Sequence, residues 1–211
     1  MRCFIGLPLP EDYQRLLAGI IQEWKTSLGS RVSWTKPGNW HLTLKFLGEI
    51  QEERVKPLLE ALGEGLSEEK PCPAFALQGH DAGFFPDPRR PRVVWVGLGK
   101  GVEQARELAV WVEAICAGLG FAREERTFRP HLTVARIKPP RKDRHGMARR
   151  GSRETRHSSA SPCVDILRSV GEVSWPEITV DRMVLWESRL SAEGPDYRPL
   201  AEWRLMTGAT R

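Results

Sequence analysis

Residues 39–49 read NWHLTLKFLGE, and a shortened copy, RPHLTVAR, returns at residues 129–136. Side chains of an extended strand alternate between its two faces, so each copy sorts its own residues. In the first, His41, Thr43 and Lys45 share one face, while Leu42, Leu44 and Phe46 share the other. In the second, His131, Thr133 and Ala135 oppose Leu132 and Val134. The apolar face has to be buried, which leaves the His-x-Thr face to look into a groove. Two such strands, ninety residues apart, predict two half-domains that each present one imidazole and one hydroxyl to a shared centre.

The rest of the chain can supply those halves. With 211 residues, 40% of them hydrophobic, it can build one sizeable core or two small lobes packed together, and a single domain over residues 1–211 is expected. Residues 2–9 (RCFIGLPL) read as a strand, and residues 11–28 as a helix whose inner face carries Tyr13, Leu16, Leu17, Ile20, Ile21, Trp24 and Leu28. Residues 31–35 predict a strand ahead of the first motif. A helix near residues 52–66 follows it, with Pro57 early enough for the first turn or two to absorb, through a shifted start if needed. A hairpin is expected from residues 74–79 and 92–98 around a turn-rich piece, DAGFFPDPRRP, then a helix at residues 102–119 with Gly120 just past its end. After the second motif strand, residues 128–137, come a short helix near residues 164–170 and strands at 177–187 and 197–206. This is an α+β pattern in which each helix covers the apolar back of an antiparallel sheet.

The net charge of +5 is concentrated in one place. Residues 139–157 hold seven of the 32 basic and two of the 27 acidic residues, so the remainder of the chain is neutral. That segment, continued to residue 162, has too little apolar content to order itself and predicts a mobile basic insertion. A positive tether beside a neutral body suits attraction of a polyanion such as RNA, and a solvated insertion with no part in the chemistry fits the same composition. No run of about 18 apolar residues exists, and the start lacks the pattern of a signal peptide, so a cytoplasmic protein without membrane contact is expected. Cys3, Cys72, Cys116 and Cys163 are scattered and contain no C-x-x-C pair, which favours reduced thiols over disulfides or a metal site.

Two histidines facing one groove can divide acid and base work between them. Their unperturbed pKa, about 6.5, allows one to be neutral and the other protonated near physiological pH. A neutral imidazole that takes a proton from water, opposite an imidazolium that gives one to a leaving oxygen, suits in-line attack on a phosphodiester. Threonine hydroxyls beside them can donate to the non-bridging oxygens, where charge gathers. The same two histidines could be half of a zinc site, but no carboxylate or cysteine stands at ligand spacing near either motif. His80, alone on its strand, reads as structural, and His145 and His157 as solvated. Trp40, Phe46, Phe84, Phe85 and Phe128 are candidates to stack a terminal base; alternation puts Phe46 in the core and favours Phe84 and Phe85.

HLTLKFLG and HLTVAR resemble the paired H-x-T-x motifs of the 2H phosphoesterase superfamily. More closely, the chain resembles the bacterial and archaeal 2′-5′ RNA ligase family, described as RNA 2′,3′-cyclic phosphodiesterases. The opening RCFIGLPLP, the NW before His41, the PRVVWVGL strand, the FRP before His131 and the closing LWESRL…GPDYRPL are similar to family features in the same order. The resemblance implies a bilobal, pseudo-twofold fold with two antiparallel sheets lining a cleft and helices outside. It implies opening of a terminal 2′,3′-cyclic phosphate to a 2′-phosphate without cofactor or metal, with 2′-5′ ligation as a weaker reverse activity. The implied catalytic residues are His41 and His131, with Thr43, Thr133 and Arg136 on the phosphate, and the chain is expected to act as a monomer. His131 is expected as base toward water and His41 as acid. Strict alternation, however, turns Arg136 away from His131. The insertion at residues 139–162 is longer than the family pattern and bears on substrate size. Alternatives are another small phosphodiester, such as a 2′-5′ oligonucleotide or ADP-ribose cyclic phosphate, or an RNA-end-binding module without turnover.

Overall fold

The computed structural model describes residues 1–27, 32–68, 73–138, 166, 169–170, 172–191 and 194–206. In chain order they form strand β1 (Arg2–Pro8), helix α1 (Glu11–Ser27), strands β2 (Val32–Trp34) and β3 (His41–Glu49), and helix α2 (Val55–Glu68). The hairpin β4 (Phe75–Phe85) and β5 (Val93–Lys100), helix α3 (Val102–Gly118), and strands β6 (His131–Ile137), β7 (Glu177–Val180), β8 (Arg182–Ser191) and β9 (Gly194–Arg204) follow. The basic insertion, His145, His157, Cys72 and Cys163 lie outside the described residues. Cys3 and Cys116 are free and buried, as their apolar neighbours predict.

The strands run β7-β4-β5-β6-β3-β1-β8-β9, with β2 added beside β6, and their ladders are antiparallel. Among the described residues, the β3–β6 ladder that joins the two halves expected from the sequence is a single residue pair, Leu42 opposite Leu132. Beyond that pair β3 and β6 part. On one side β2 takes over the freed edge, and the Thr35 amide donates to the Val134 carbonyl at 2.9 Å. On the other side the segment between α3 and β6 lies against β3, where Lys45 donates to the Ala122 carbonyl at 2.6 Å. Both motif histidines stand beside the Leu42–Leu132 pair, at the crease between the halves.

Each half is backed by a helix that belongs, in sequence, to the other. Helix α1 follows β1 but packs behind β4, where the Tyr13 hydroxyl accepts the Gly79 amide at 3.0 Å. Helix α3 follows β5 but packs behind β3, through an ion pair from Lys45 to Glu113. The inner face of α1 is Tyr13, Leu17, Ile20, Ile21 and Trp24, all buried at helical spacing as predicted. Pro57 is tolerated because it lies in the first turn of α2, after a 3-10 turn at Glu52–Arg54. Helix α3 stops at Gly120, whose φ of 75° lets the Phe121 amide turn back onto the Cys116 carbonyl.

Two elements differ from expectation. The turn-rich reading of residues 81–85 is wrong: β4 continues to Phe85 because Ala82 and Phe84 are buried, and the chain turns only after Pro86. The strand expected over residues 177–187 breaks at Asp181, which separates β7 in one half of the sheet from β8 in the other.

Candidate active site

Both motif strands depart from alternation at the same place. Along β1, the step from Ile5 to Gly6 spans two residues of β3, from Lys45 to Thr43. Along β5, the step from Val94 to Trp95 spans two residues of β6, from Ala135 to Thr133. Each is a β-bulge, one extra residue that resets which side chains face which way. Leu44 and Lys45 therefore turn to the back together, as do Val134 and Ala135, and the residue after each pair returns to the cleft. The cleft face carries His41, Thr43 and Phe46 from β3, and His131, Thr133 and Arg136 from β6.

This corrects three assignments. Lys45 does not share the face of His41. It lies at the back, 4% exposed, with its Nζ 2.7 Å from Glu113 Oε2 and donating to the Ala122 carbonyl at 2.6 Å. Phe46 is not core: it is 61% exposed and lines the cleft. Arg136, which strict alternation turned away, is on the side of His131 and Thr133. The bulge is the physical account of that.

The antiparallel register around Leu42 and Leu132 sets His41 across from Thr133 and Thr43 across from His131. On its other side β3 lies close against β1: a Cβ on Gly6 would lie 2.5 Å from the Leu42 carbonyl oxygen. Both imidazoles are anchored alike. His41 Nδ1 donates to the Asn39 carbonyl and His131 Nδ1 to the Arg129 carbonyl, each at 2.7 Å. This fixes the tautomer and leaves each Nε2 for the cleft. At 2.9 Å, the Thr43 hydroxyl donates to His41 Nε2 when that ring is neutral.

Aromatic rings frame both groups. His41 stacks on Phe4 at a centroid distance of 4.6 Å and meets Tyr197 edge-on at 5.3 Å, with Trp186 at 5.4 Å. His131 meets Phe85 edge-on at 5.1 Å, and Phe85 in turn stacks on Trp95. Burial drives the His41 pKa down to about 4. The Asn39 carbonyl opposes the shift, and the charges of His131 and Arg136 add to it. Burial also lowers His131, the Arg129 carbonyl opposing and Arg136 adding. The two imidazoles are thus near enough to sense one another, and Arg136 near enough to act on both. Arg136 also pulls back the pKa of Tyr197, which burial raises.

A cavity of about 680 Å³ opens on this face, and Thr43, Phe46, Phe85, Phe128, Thr133 and Arg136 are among its walls. Of the rings proposed to stack a base, Phe46, Phe85 and Phe128 are in place. Trp40, just before β3, and Phe84, on β4, are not: they are buried, 2% and 5% exposed. Phe4, Trp95, Trp186 and Tyr197 went unnamed as site residues because strand pairing across long sequence distances brings them there. His80 is exposed. Among the described residues, no three His, Cys, Asp or Glu side chains gather as a metal site, and no helix is long and apolar enough to cross a membrane.

A two-lobed antiparallel sheet thus brings one imidazole and one hydroxyl from each lobe to a shared cleft. Residues 7–95 match the family model described as LigT like Phosphoesterase. An RNA 2′,3′-cyclic phosphodiesterase of Aeropyrum pernix is 35% identical over 164 residues, 78% of this chain and 81% of that one. Another of that name, from Archaeoglobus fulgidus, is 32% identical over 200 residues, 95% and 98% of the two chains. Among solved structures, a Thermus thermophilus protein superposes with a TM-score of 0.70 at 25% identity, covering 99% of this chain and all of that one. Escherichia coli LigT shares the fold with a TM-score of 0.67 at 24% identity, over 97% of each chain. The chain belongs to the LigT-like phosphoesterases of the 2H superfamily and is a phosphodiesterase.

Proposed function

We propose that the protein hydrolyses a terminal RNA 2′,3′-cyclic phosphate to a 2′-phosphate by acid-base catalysis from His41 and His131, with 2′-5′ ligation when a 5′-hydroxyl attacks in place of water. One observation carries this reading: two imidazoles, each anchored through Nδ1 to a carbonyl two residues before it, flank the Leu42–Leu132 pair near enough for the charge of His131 to act on His41. The name borne by relatives at 35% and 32% identity supports the substrate class. In this reading, residues 1–211 act as one bilobal unit, because the reacting groups are divided between the halves.

Water attacks the phosphorus and the 3′ oxygen departs from the opposite side. His131 Nε2 takes the proton from water, and protonated His41 gives one to the 3′ oxygen. Thr43, Thr133 and Arg136 hold the non-bridging oxygens, which gain charge as the transition state forms. Phe46 or Phe85 stacks the terminal base. No step requires a metal. Burial puts the His41 pKa at about 4, so as acid it requires the negative substrate phosphate to stabilise its charged form. That low value equally favours exchanged roles, His41 as base and His131 as acid.

The purified protein in EDTA is expected to convert 2′,3′-cyclic nucleotides and a short RNA with a cyclic end to 2′-phosphates. His41→Ala and His131→Ala should each lose activity about a hundredfold to ten-thousandfold. Turnover by both variants at the wild-type rate removes the mechanism. A cyclic substrate with sulfur in place of the 3′ oxygen leaves without protonation, so it should rescue only the variant that lacks the acid.

A further inference from the structure

The cavity does not end at the crease. Its walls also carry Arg92, just before β5, together with Arg126 and Arg129 from the segment before β6. Arg136 lowers the pKa of both histidines, which sets it beside the reacting groups as the inner cation. Arg92, whose carbonyl accepts the Ile137 amide at 2.9 Å, stands at the far end of β6 from His131, and Arg126 and Arg129 come from outside the strands; these three are the outer group of the same cavity.

Three features make the outer group more than scattered surface charge. First, among the described residues the side chains of Arg92, Arg126 and Arg129 form no ion pair or hydrogen bond. The carboxylate on this wall, Glu124, accepts the Arg126 backbone amide instead. Second, the segment is held firmly from beneath. Lys45 binds the Ala122 carbonyl at 2.6 Å, and Glu113, paired with Lys45, accepts the Glu124 amide at 3.2 Å. Arg54 binds the Leu119 carbonyl at 2.8 Å and lies 3.8 Å from the centre of the Phe121 ring. Third, the aromatic walls Phe46, Phe85 and Phe128 line the same cavity as the inner and outer cations. Unneutralised guanidinium groups on a fixed support suit a phosphate, which they bind through paired N–H donors.

We propose that Arg92, Arg126 and Arg129 form a second phosphate subsite, which takes the phosphodiester on the 5′ side of the terminal nucleotide. The inference rests on the cyclic phosphodiesterase reading and sharpens it: the substrate is an RNA chain of at least two nucleotides, and a cyclic mononucleotide leaves this subsite empty.

The experiment compares a 2′,3′-cyclic mononucleotide with a trinucleotide RNA ending in a cyclic phosphate, using the wild-type chain and Arg92→Gln/Arg126→Gln. The double variant is expected to raise KM for the trinucleotide tenfold or more with kcat unchanged, and to keep kcat/KM for the mononucleotide within twofold. The dependence of log KM on log salt for the trinucleotide should become shallower by about 0.7 for each phosphate that the variant no longer holds. Equal losses on both substrates would assign these arginines to the terminal phosphate, and an unchanged KM for the trinucleotide would remove the subsite; either overturns the proposal. If the wild type turns over neither substrate, the cyclic phosphodiesterase reading has failed by itself. The subsite is then decided by fluorescence anisotropy with a labelled trinucleotide 3′-phosphate and a labelled nucleoside monophosphate: weaker binding of the trinucleotide alone in the double variant upholds it, and any other pattern rejects it.

Discussion

Phe46 and Arg136 occupy the same position in the two motif strands, the fifth after the histidine, and both face the cleft because a bulge precedes each. The pseudo-twofold relation that duplicates the histidines and threonines is broken here. One half offers an apolar ring and the other a cation. A nucleotide also has an apolar end and a charged end, so this pair of residues gives the cleft a direction that a symmetric site would lack.

Arg136→Gln should lower kcat/KM by about a hundredfold to a thousandfold, the usual effect of removing one donor to developing charge. It should also move the pH profile in a stated sense. The guanidinium lowers the pKa of both imidazoles, so its removal raises both, and both limbs of the kcat/KM profile shift to higher pH. A profile that only drops in height would place Arg136 away from the histidines.

Phe46→Ala should act on binding. Base stacking on an aromatic side chain contributes about 1–3 kcal/mol, so KM for a cyclic nucleotide should rise by about fivefold to 160-fold while kcat holds. Phe46→Trp should restore it. Because the ring is 61% exposed, urea denaturation should detect little change in stability; a large loss of stability would mean that the ring is core after all.

The regular parts of this fold were legible because their periods are. Tyr13, Leu17, Ile20, Ile21 and Trp24 announce α1, and Leu42, Leu44, Leu132 and Val134 mark the buried side of the motif strands. The bulges were not legible from the first motif, since HLTLKF alternates without fault and a regular strand explains it fully. One added residue exchanges the faces beyond it, which is why Lys45 and Phe46 were misassigned together. A signal stood in the second motif, where regular alternation places a charged Arg136 on a buried face, a position that costs too much unless paired. The frame of Phe4, Trp186 and Tyr197 around His41 depends on β1 pairing with β8, at opposite ends of the chain, and no local pattern encodes that.

Binding of a phosphate ester should be coupled to proton uptake. Burial holds both imidazoles below their ordinary value, His41 at about 4, so a second proton on either ring is disfavoured. An anion between them favours the charged form, and catalysis needs one of them protonated. Affinity for a slowly reacting cyclic phosphorothioate, whose own charge is constant in this range, should therefore weaken as pH rises, by up to about tenfold per unit for one proton. Calorimetry at pH 7 in buffers of different ionisation enthalpy measures the uptake directly. Heats that do not depend on the buffer would show that the proton is already present, and that burial does not control these groups.

The buried pair behind β3 makes a separate prediction about stability. Lys45 is 4% exposed between Glu113 and the Ala122 carbonyl, while Glu113 is 24% exposed and also holds the Glu124 amide. Removing one partner of a buried pair leaves the other charge uncompensated, at a cost of about 3–5 kcal/mol. Glu113→Gln should approach that figure, because the ammonium it strands has no route to water. Lys45→Met should cost less, since the thioether chain fills much the same space and the Glu113 carboxylate can reach solvent. The double variant Lys45→Met/Glu113→Leu, which buries no charge, should recover much of the loss in urea denaturation. Activity should separate from stability: once Ala122 is released, the segment carrying Arg126 and Arg129 loses its fixed support. KM for an RNA trinucleotide should then rise in Lys45→Met with kcat unchanged, and Lys45→Arg, which can still bind Glu113, should restore it. If Glu113→Gln denatures within about 1 kcal/mol of the wild type, the pair is not the support the geometry describes.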